Sequence, residues 1–506
     1  MITLNKKNYF CNQDDYQIKP HDEYFNLKIY PIVGELERHI GLLNDITEDY
    51  IEPNLLCFSR KYSSFIMNEA YTHFSEINIY NDFNNDDILR NIEEFGFSNK
   101  VRIVDMSMIP STINKNTLIY IHDKEDIQDF LYRCINLDLP IILAPHDETI
   151  IEKYGVHYKL TNSDKYLYIN PEFEQVFNNK FSYYMKDDLL DYDNLIHLCV
   201  MVKNGGDDFA EMLRRNLPII DRWTILDTGS IDDTIENINK ILVGKKKGKL
   251  YEEPFINFRE SRNRCLELAG MNCKYNLMLD DTYVIEGELR DFLNIVRGDQ
   301  FADSFSLLIQ SNDTEYYSNR ITISQYKLRY IYTIHEVIQG HNNINVVVPS
   351  YKSRILDLRS DYMEKRTMDR KRYDLKCLFE MIEEEPENPR HLYYIAQTYN
   401  LLEEPEKAAE WFYKRAFHQN EGFDQEKIDA LFEMTRMYNF KLNRPWSECE
   451  KWYKLVHEWD PERPEASYFI GIHYYLEGDK KTAYEYLKRG FNIGFPIHRQ
   501  YSLKPT

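Results

Sequence analysis

Two stretches set 75 positions apart share one frame: Pro386-Glu387-Asn388-Pro389-Arg390-His391-Leu392-Tyr393-Tyr394-Ile395-Ala396 and Pro461-Glu462-Arg463-Pro464-Glu465-Ala466-Ser467-Tyr468-Phe469-Ile470-Gly471. Each leads into a second matching run, EEPEKAAEWFYKRA after the first and EGDKKTAYEYLKRG after the second. The spacing is about twice the period of a tetratricopeptide unit, and such a helix pair cannot cover its own apolar face without stacking on a neighbour. Small residues (Ala396, Ala408, Gly471, Ala483) recur where paired helices must approach closely. A looser middle unit spans Glu426–Trp459. Helical periodicity begins at Asp361 with MEKRTMDRKRYDLKCLFEMIEEE and stops at Pro386, which cannot extend a helix. Residues 351–506 are therefore expected to form an all-α, tetratricopeptide-like array with its aromatics mostly in the core. Its concave face is a candidate surface for an acceptor, a second subunit, the rest of the chain or a protein partner.

Upstream the pattern changes to apolar runs alternating with amphipathic stretches. Candidate strands are Asn54–Phe58, Val101–Val104, Thr117–Ile121 and Pro140–Ala144, with helices at Asn85–Glu94 and Lys124–Asn136. Such alternation predicts a parallel, Rossmann-like sheet over residues 1–190. No glycine-rich phosphate loop follows these strands, so dinucleotide binding has no support, and the role of this domain stays open between a degenerate transferase domain and a docking module. The tetrad Pro145-His146-Asp147-Glu148 reads as a turn and helix cap.

Composition excludes several classes. Lys+Arg 62 against Asp+Glu 83 gives a net charge of −21, which repels nucleic-acid phosphates and anionic lipid. The eight cysteines are scattered without a C-x-x-C pair, so reduced thiols in a cytosol-like compartment are expected and a zinc site is not. No run of about 18 apolar residues occurs and the N-terminus has no apolar leader segment. The expectation is a cytoplasmic protein without membrane insertion. Abundant Asn, Ile, Lys and Tyr point to AT-rich coding; were the source a large AT-rich DNA virus, the cytoplasm would be a host's.

The chemistry gathers in residues 191–350. Ile196–Val202 reads as a buried strand, followed by the turn Lys203-Asn204-Gly205-Gly206 and a helix from Asp207 to about Arg215. A second strand, Trp223–Leu226, runs into Asp227-Thr228-Gly229-Ser230. An acid at a strand tip can accept hydrogen bonds from a ribose or a base edge, and the glycine lets a nucleotide approach the backbone. A plain strand–turn–helix connection would use the same residue types. Lys249–Tyr251 reads as a third strand. The helix from Asn257 carries Arg259, Arg262 and Asn263 near its start, placed either to meet a diphosphate or to form a solvated charged face. Tyr275–Tyr283 (YNLMLDDTY) is an apolar strand ending in Asp280 and Asp281, hard oxygen ligands suited to Mg²⁺ or Mn²⁺. Ala302–Gln310 and Ile321–Ile334 alternate like strands flanking an acceptor cleft, and His335-Glu336 follows.

Four motifs stand in order here: VMVKN (Val200–Asn204), LDTGSIDDT (Leu226–Thr234), NFRESRN (Asn257–Asn263) and LMLDD (Leu277–Asp281). With the repeats, they make residues 195–500 resemble the family-2 glycosyltransferases, in the soluble branch that joins a GT-A domain to tetratricopeptide repeats. The resemblance implies a nucleotide-sugar donor, a UDP-sugar first, and an inverting, metal-assisted transfer to a protein or glycan acceptor. By it, Asp227 holds the nucleoside, with Lys203, Gly229, Ser230 and Arg262 completing the donor contacts. Asp280 sits near the ribose and the metal as the first acid of the family's D-x-D. His335 is then a further metal or diphosphate ligand, and Glu336 the general base with Asp313 as a rival.

The chain departs from that pattern twice. Gly205 stands where the family has an acid after its V-K-N, and Thr282 stands where its metal-binding acid belongs; either Asp281 takes over metal duty, with the strand end shifted by one residue, or metal binding is weakened or absent. The expected fold class is α/β: an N-terminal Rossmann-like domain (1–190), a central GT-A-like domain (191–350) and the helical array (351–506). The rival function is a catalytically impaired nucleotide-binding scaffold working through its repeats. Nucleotidyl transfer to a sugar phosphate is a third reading, disfavoured because the basic glycine-rich loop it needs is missing.

Overall fold

The computed structural model describes residues 2–4, 7–9, 25–59, 63–80, 85–104, 115–298, 302–311, 314–340, 342–358 and 362–494. It is a mixed α/β protein with two nine-stranded sheets and a helical C-terminal region.

A short hairpin pairs β1 (Ile2–Leu4) with β2 (Lys7–Tyr9). The first large sheet holds β3 (Asn54–Phe58), β4 (Glu76–Tyr80), β5 (Val101–Val104), β6 (Thr117–Ile121), β7 (Ile141–Pro145), β8 (Val156–Leu160), β9 (Lys165–Ile169), β10 (Met185–Lys186) and β11 (Leu189–Leu190). Its parallel core runs β5-β4-β3-β6-β7, a doubly wound order that reverses between β3 and β6. The four strands expected from the sequence are present, the last shifted by one residue. Glu76–Tyr80 was missed because polar Glu76 and Asn78 interrupt its apolar run. Also missed were β8 and β9, which extend the sheet antiparallel from β7. The polar tetrad after β7 is a cap: Asp147 accepts from the backbone N–H groups of Thr149 (2.9 Å) and Ile150 (3.2 Å).

The second sheet holds β12 (Ile196–Val202), β13 (Arg222–Asp227), β14 (Lys247–Glu252), β15 (Tyr275–Leu279), β16 (Tyr283–Gly287), β17 (Ser304–Ser311), β18 (Thr314–Ile323), β21 (Asn345–Val347) and β22 (Ser353–Asp357); β19 (Arg329–Ile331) and β20 (Val337–Gln339) form a separate pair. Strands β14-β13-β12-β15 are parallel, and β18 follows antiparallel. Every residue of β12, β13 and β15 is buried except Met201, as befits strands covered on both faces. The expected strand Ile321–Ile334 is corrected. The strand starts earlier, at Thr314, pairs with β17 as a long hairpin, and ends at Ile323 in a 3₁₀ turn. Lys327 there is left-handed (φ 50°), and the chain re-enters extended structure only over Arg329–Ile331.

The C-terminal helices run Tyr362–Glu384, Pro389–Leu401, Pro405–Ala416, Asp424–Arg436, Trp446–Trp459, Pro464–Leu476 and Lys480–Ile493. Proline opens three of them, where a missing N–H costs nothing. The expected small residues sit at the tight crossings. A Cβ on Gly471 would lie 2.7 Å from Leu487 Cγ, while Ala396 and Ala408 are fully buried and Ala483 nearly so.

Among the described residues, no helix is long and apolar enough to cross a membrane, and the seven described cysteines are buried free thiols.

Candidate functional site

The strand order β14-β13-β12-β15 reverses between β12 and β15, the position at which open α/β sheets leave a crevice outside their carboxyl ends. Register pairs Val202 with Asp227 and Val200 with Leu279, so Lys203, Asp227 and Asp280 all emerge at that edge. Asp227 and Asp280 are separated by one intervening strand, roughly 10 Å at ordinary strand spacing.

The loops leaving β12 and β13 are laced together. Asp227 is buried, and its Oδ1 accepts from the N–H groups of Gly229 (2.9 Å) and Ser230 (2.8 Å), while its Oδ2 has no hydrogen-bond partner in the described structure. Gly229 has φ 103°, a conformation that excludes other residues. Ser230 Oγ accepts from the N–H of Asn204 (2.8 Å), and Asn204 Oδ1 accepts from the N–H of Ile231 (2.8 Å). Ser230, expected at the donor, ties the two loops. Lys203 is exposed beside them. Gly205, the residue where the resemblance leads one to expect an acid, has a steric reason to be glycine. A Cβ there would lie 2.6 Å from Phe209 Cβ and 2.9 Å from Val202 Cγ2.

Beyond β15 the expected residues meet directly. Arg262, four residues into the helix Phe258–Ala269, places Nη2 2.6 Å from Asp280 Oδ1 and Nε 3.3 Å from Glu336 Oε1. A second arginine, Arg320 on β18, reaches both oxygens of Asp280 at 3.2 and 3.3 Å. Tyr330 lies under the Arg262 guanidinium (5.5 Å) and Tyr283 under that of Arg320 (5.0 Å). Burial works to lower the pKa of Arg262, but Asp280 and then Glu336 outweigh it, and Arg262 is held well above its ordinary value. Burial likewise opposes the charge on Arg320, and Asp280 reverses the sign. Burial, partly offset by the two arginines, pushes the Tyr330 hydroxyl up to about 12. Asn263 pins this wall: its side chain donates to the Tyr330 carbonyl (2.9 Å) and accepts from the Tyr330 N–H (2.7 Å).

Sequence reasoning missed Arg320, Tyr283 and Tyr330. The available signal was an arginine directly before the buried apolar end of a strand, Ile321–Ile323.

The acids do not fit a divalent ion as they stand. Both oxygens of Asp280 face guanidinium groups. The Thr282 hydroxyl donates to Asp357 Oδ1 (2.6 Å) in a buried corner, turned to β22. His335 stacks on Tyr394 with ring centroids 3.9 Å apart. Asp281 is half-buried, and among the described residues no group of three or more His, Cys, Asp or Glu is placed to hold a metal. Asp313, the rival base, lies outside the described residues.

A cavity of about 530 Å³ lies elsewhere, at the amino ends of the central strands, lined by Arg38, Asp193, Asp221, Lys246, Arg290 and Arg297 among others.

No family model and no curated protein matches the sequence. Among solved structures the chain is similar to residues 1–349 of the S. aureus glycosyltransferase TarS, at 11% identity, over 60% of this chain and 93% of that one, with a TM-score of 0.28. It is also similar to MamA (14% identity, 24% of this chain, 63% of MamA, TM-score 0.21). A third likeness is to YrrB, a TPR protein with an unusual peptide-binding site (20% identity, 27% of this chain, 65% of that one, TM-score 0.21).

Proposed function

We propose that the protein transfers a sugar from a nucleotide-diphosphate donor, a UDP-sugar first, to a hydroxyl on a protein or glycan acceptor. What carries the reading is the meeting of Asp280, Arg262, Arg320 and Glu336 at the carboxyl end of β15, beside the reversal in strand order. In this reading Asp227 and the Gly229 turn take the nucleoside, and Arg262 with Arg320 balances charge on the departing diphosphate. Glu336 takes the acceptor proton as the bond from the sugar carbon to phosphate breaks and the bond to the acceptor oxygen forms. Attack from the face opposite the leaving group makes the transfer inverting. A divalent ion would supply charge to the diphosphate, but the acids here do not fit one.

The test is turnover of a nucleotide-sugar panel, with and without Mn²⁺ and Mg²⁺, for the intact chain, Glu336→Gln and Asp280→Asn. Nucleotide released together with a glycosylated acceptor, lost in both variants, supports the transferase. A second reading, the impaired scaffold, is favoured by the arginine-clamped Asp280 and the turned-away Thr282. Nucleoside diphosphates bound in calorimetry by an intact chain that turns over no donor, with or without metal, would leave only that one.

A further inference from the structure

Between Ile331, the end of β19, and Glu336 lie four residues, two of them in a costly backbone conformation. Tyr332 has φ 65° and His335 φ 51°, left-handed values that residues with side chains adopt only where their surroundings impose them. Those surroundings belong to the helical array. Ile334 is buried among Cys377, Leu378 and Ile395, and Thr333 donates to Met381 Sδ (2.9 Å). The Tyr332 hydroxyl accepts from Asn388 Nδ2 (3.3 Å).

One side chain touches both strained residues. The Arg390 guanidinium lies 5.6 Å from the Tyr332 ring and donates to the His335 carbonyl (3.4 Å). It also covers Tyr394 (4.6 Å), the ring on which His335 stacks. From behind, Arg390 Nη1 is fixed by Glu426 Oε1 (2.5 Å), a buried acid of a later repeat helix that also faces Arg415 (3.9 Å). The residue after His335 is Glu336, held against Arg262.

We propose that Arg390 is a positioning residue through which the repeat array fixes the Glu336 carboxylate in the site. The catalytic part of this inference rests on the transferase reading above; the positioning part does not. It also gives the array a task besides docking, because any partner that bends the repeats near Glu426 would move Glu336.

The test uses the full chain as Arg390→Ala, Arg390→Lys and Tyr394→Leu. Amide hydrogen exchange followed by mass spectrometry should show residues 332–338 exchanging at least tenfold faster in Arg390→Ala, with 196–202 and 275–279 unchanged. Arg390→Lys keeps a charge facing Glu426 and should recover part of the protection. Tyr394→Leu, which removes only the stack, should loosen the same segment and serves if Arg390→Ala does not fold. In turnover, kcat should fall ten- to a hundredfold with the donor KM within twofold, because the hydrogen bonds of Arg390 go to Glu426, His335 and Tyr394 and not to Asp227, Gly229, Arg262 or Arg320. Unchanged exchange over 332–338 in folded Arg390→Ala or Tyr394→Leu overturns the proposal, as does loosening spread evenly over the central sheet. Loosening confined to 332–338 in a protein whose intact form turns over no donor supports the positioning role and overturns the transferase reading instead.

Discussion

Arg262 sits between two carboxylates that would otherwise face each other across a poorly solvated crevice. Removing one partner of a buried ion pair is costly because the other charge stays behind unpaired. Arg262→Ala is expected to destabilise the chain by about 2 kcal/mol, less than for a fully enclosed pair because Asp280 keeps partial exposure and Arg320. A urea titration checks this, and calorimetry should show nucleoside-diphosphate binding lost alongside. A second residue-scale prediction concerns His197, a buried residue of β12 with Nε2 2.8 Å from Thr224 Oγ1. Burial depresses its pKa from 6.5 to about 4, so the unfolded chain takes up a proton that the folded one refuses. Stability is therefore full above pH 6.5 and falls as pH drops toward 4, by about 3 kcal/mol at most from this group. His197→Gln should flatten that part of the urea midpoint against pH. The residue types at the site were legible because Asp227, Asp280 and Arg262 sit where strand and helix ends put them. Arg320 was not, because its partner is 40 positions away and only strand pairing brings the two together.

At the scale of elements, strands with continuous apolar runs were read correctly because burial on both faces leaves a strong pattern, as in β12 and β15. Half-polar β4 and the antiparallel strands β8 and β9 lack that signal. The antiparallel pairing of β16 with β22 decides the fate of Thr282. Asp357, opposite Tyr283 in the register, accepts from both Thr282 (2.6 Å) and Ser311 (3.0 Å). Thr282→Asp would set two carboxylates in one buried corner. It is expected to cost about 2 kcal/mol at pH 7 and to add no metal affinity. Thr282→Asp with Asp357→Asn should recover most of the stability, read as thermal midpoint at pH 7.

At the scale of the molecule, the N-terminal and central units are joined by buried charge. The helix Phe25–Ile46 sends Asp45 to Arg222 and Glu37 to Lys274 (3.4 Å). Arg297, almost fully buried, reaches Asp193 (2.8 Å) and Glu37 (3.6 Å) and donates to Asn194. Arg297→Met leaves two acids without that partner and is expected to cost about 3 kcal/mol, or to split the thermal transition of the two units seen by calorimetry. None of these seam pairs could be foreseen, since their partners lie about 100 or more residues apart. By itself the sequence determined the alternation of strands and helices, the acids at the strand tips and the repeat of helix pairs, because each is written in local periodicity. Only the tertiary structure decided that Arg320 clamps Asp280, that Thr282 turns to β22 and that the repeats grip the segment before Glu336. Those contacts join residues distant in the chain, and burial and charge pairing select them only once the sheets and helices have packed.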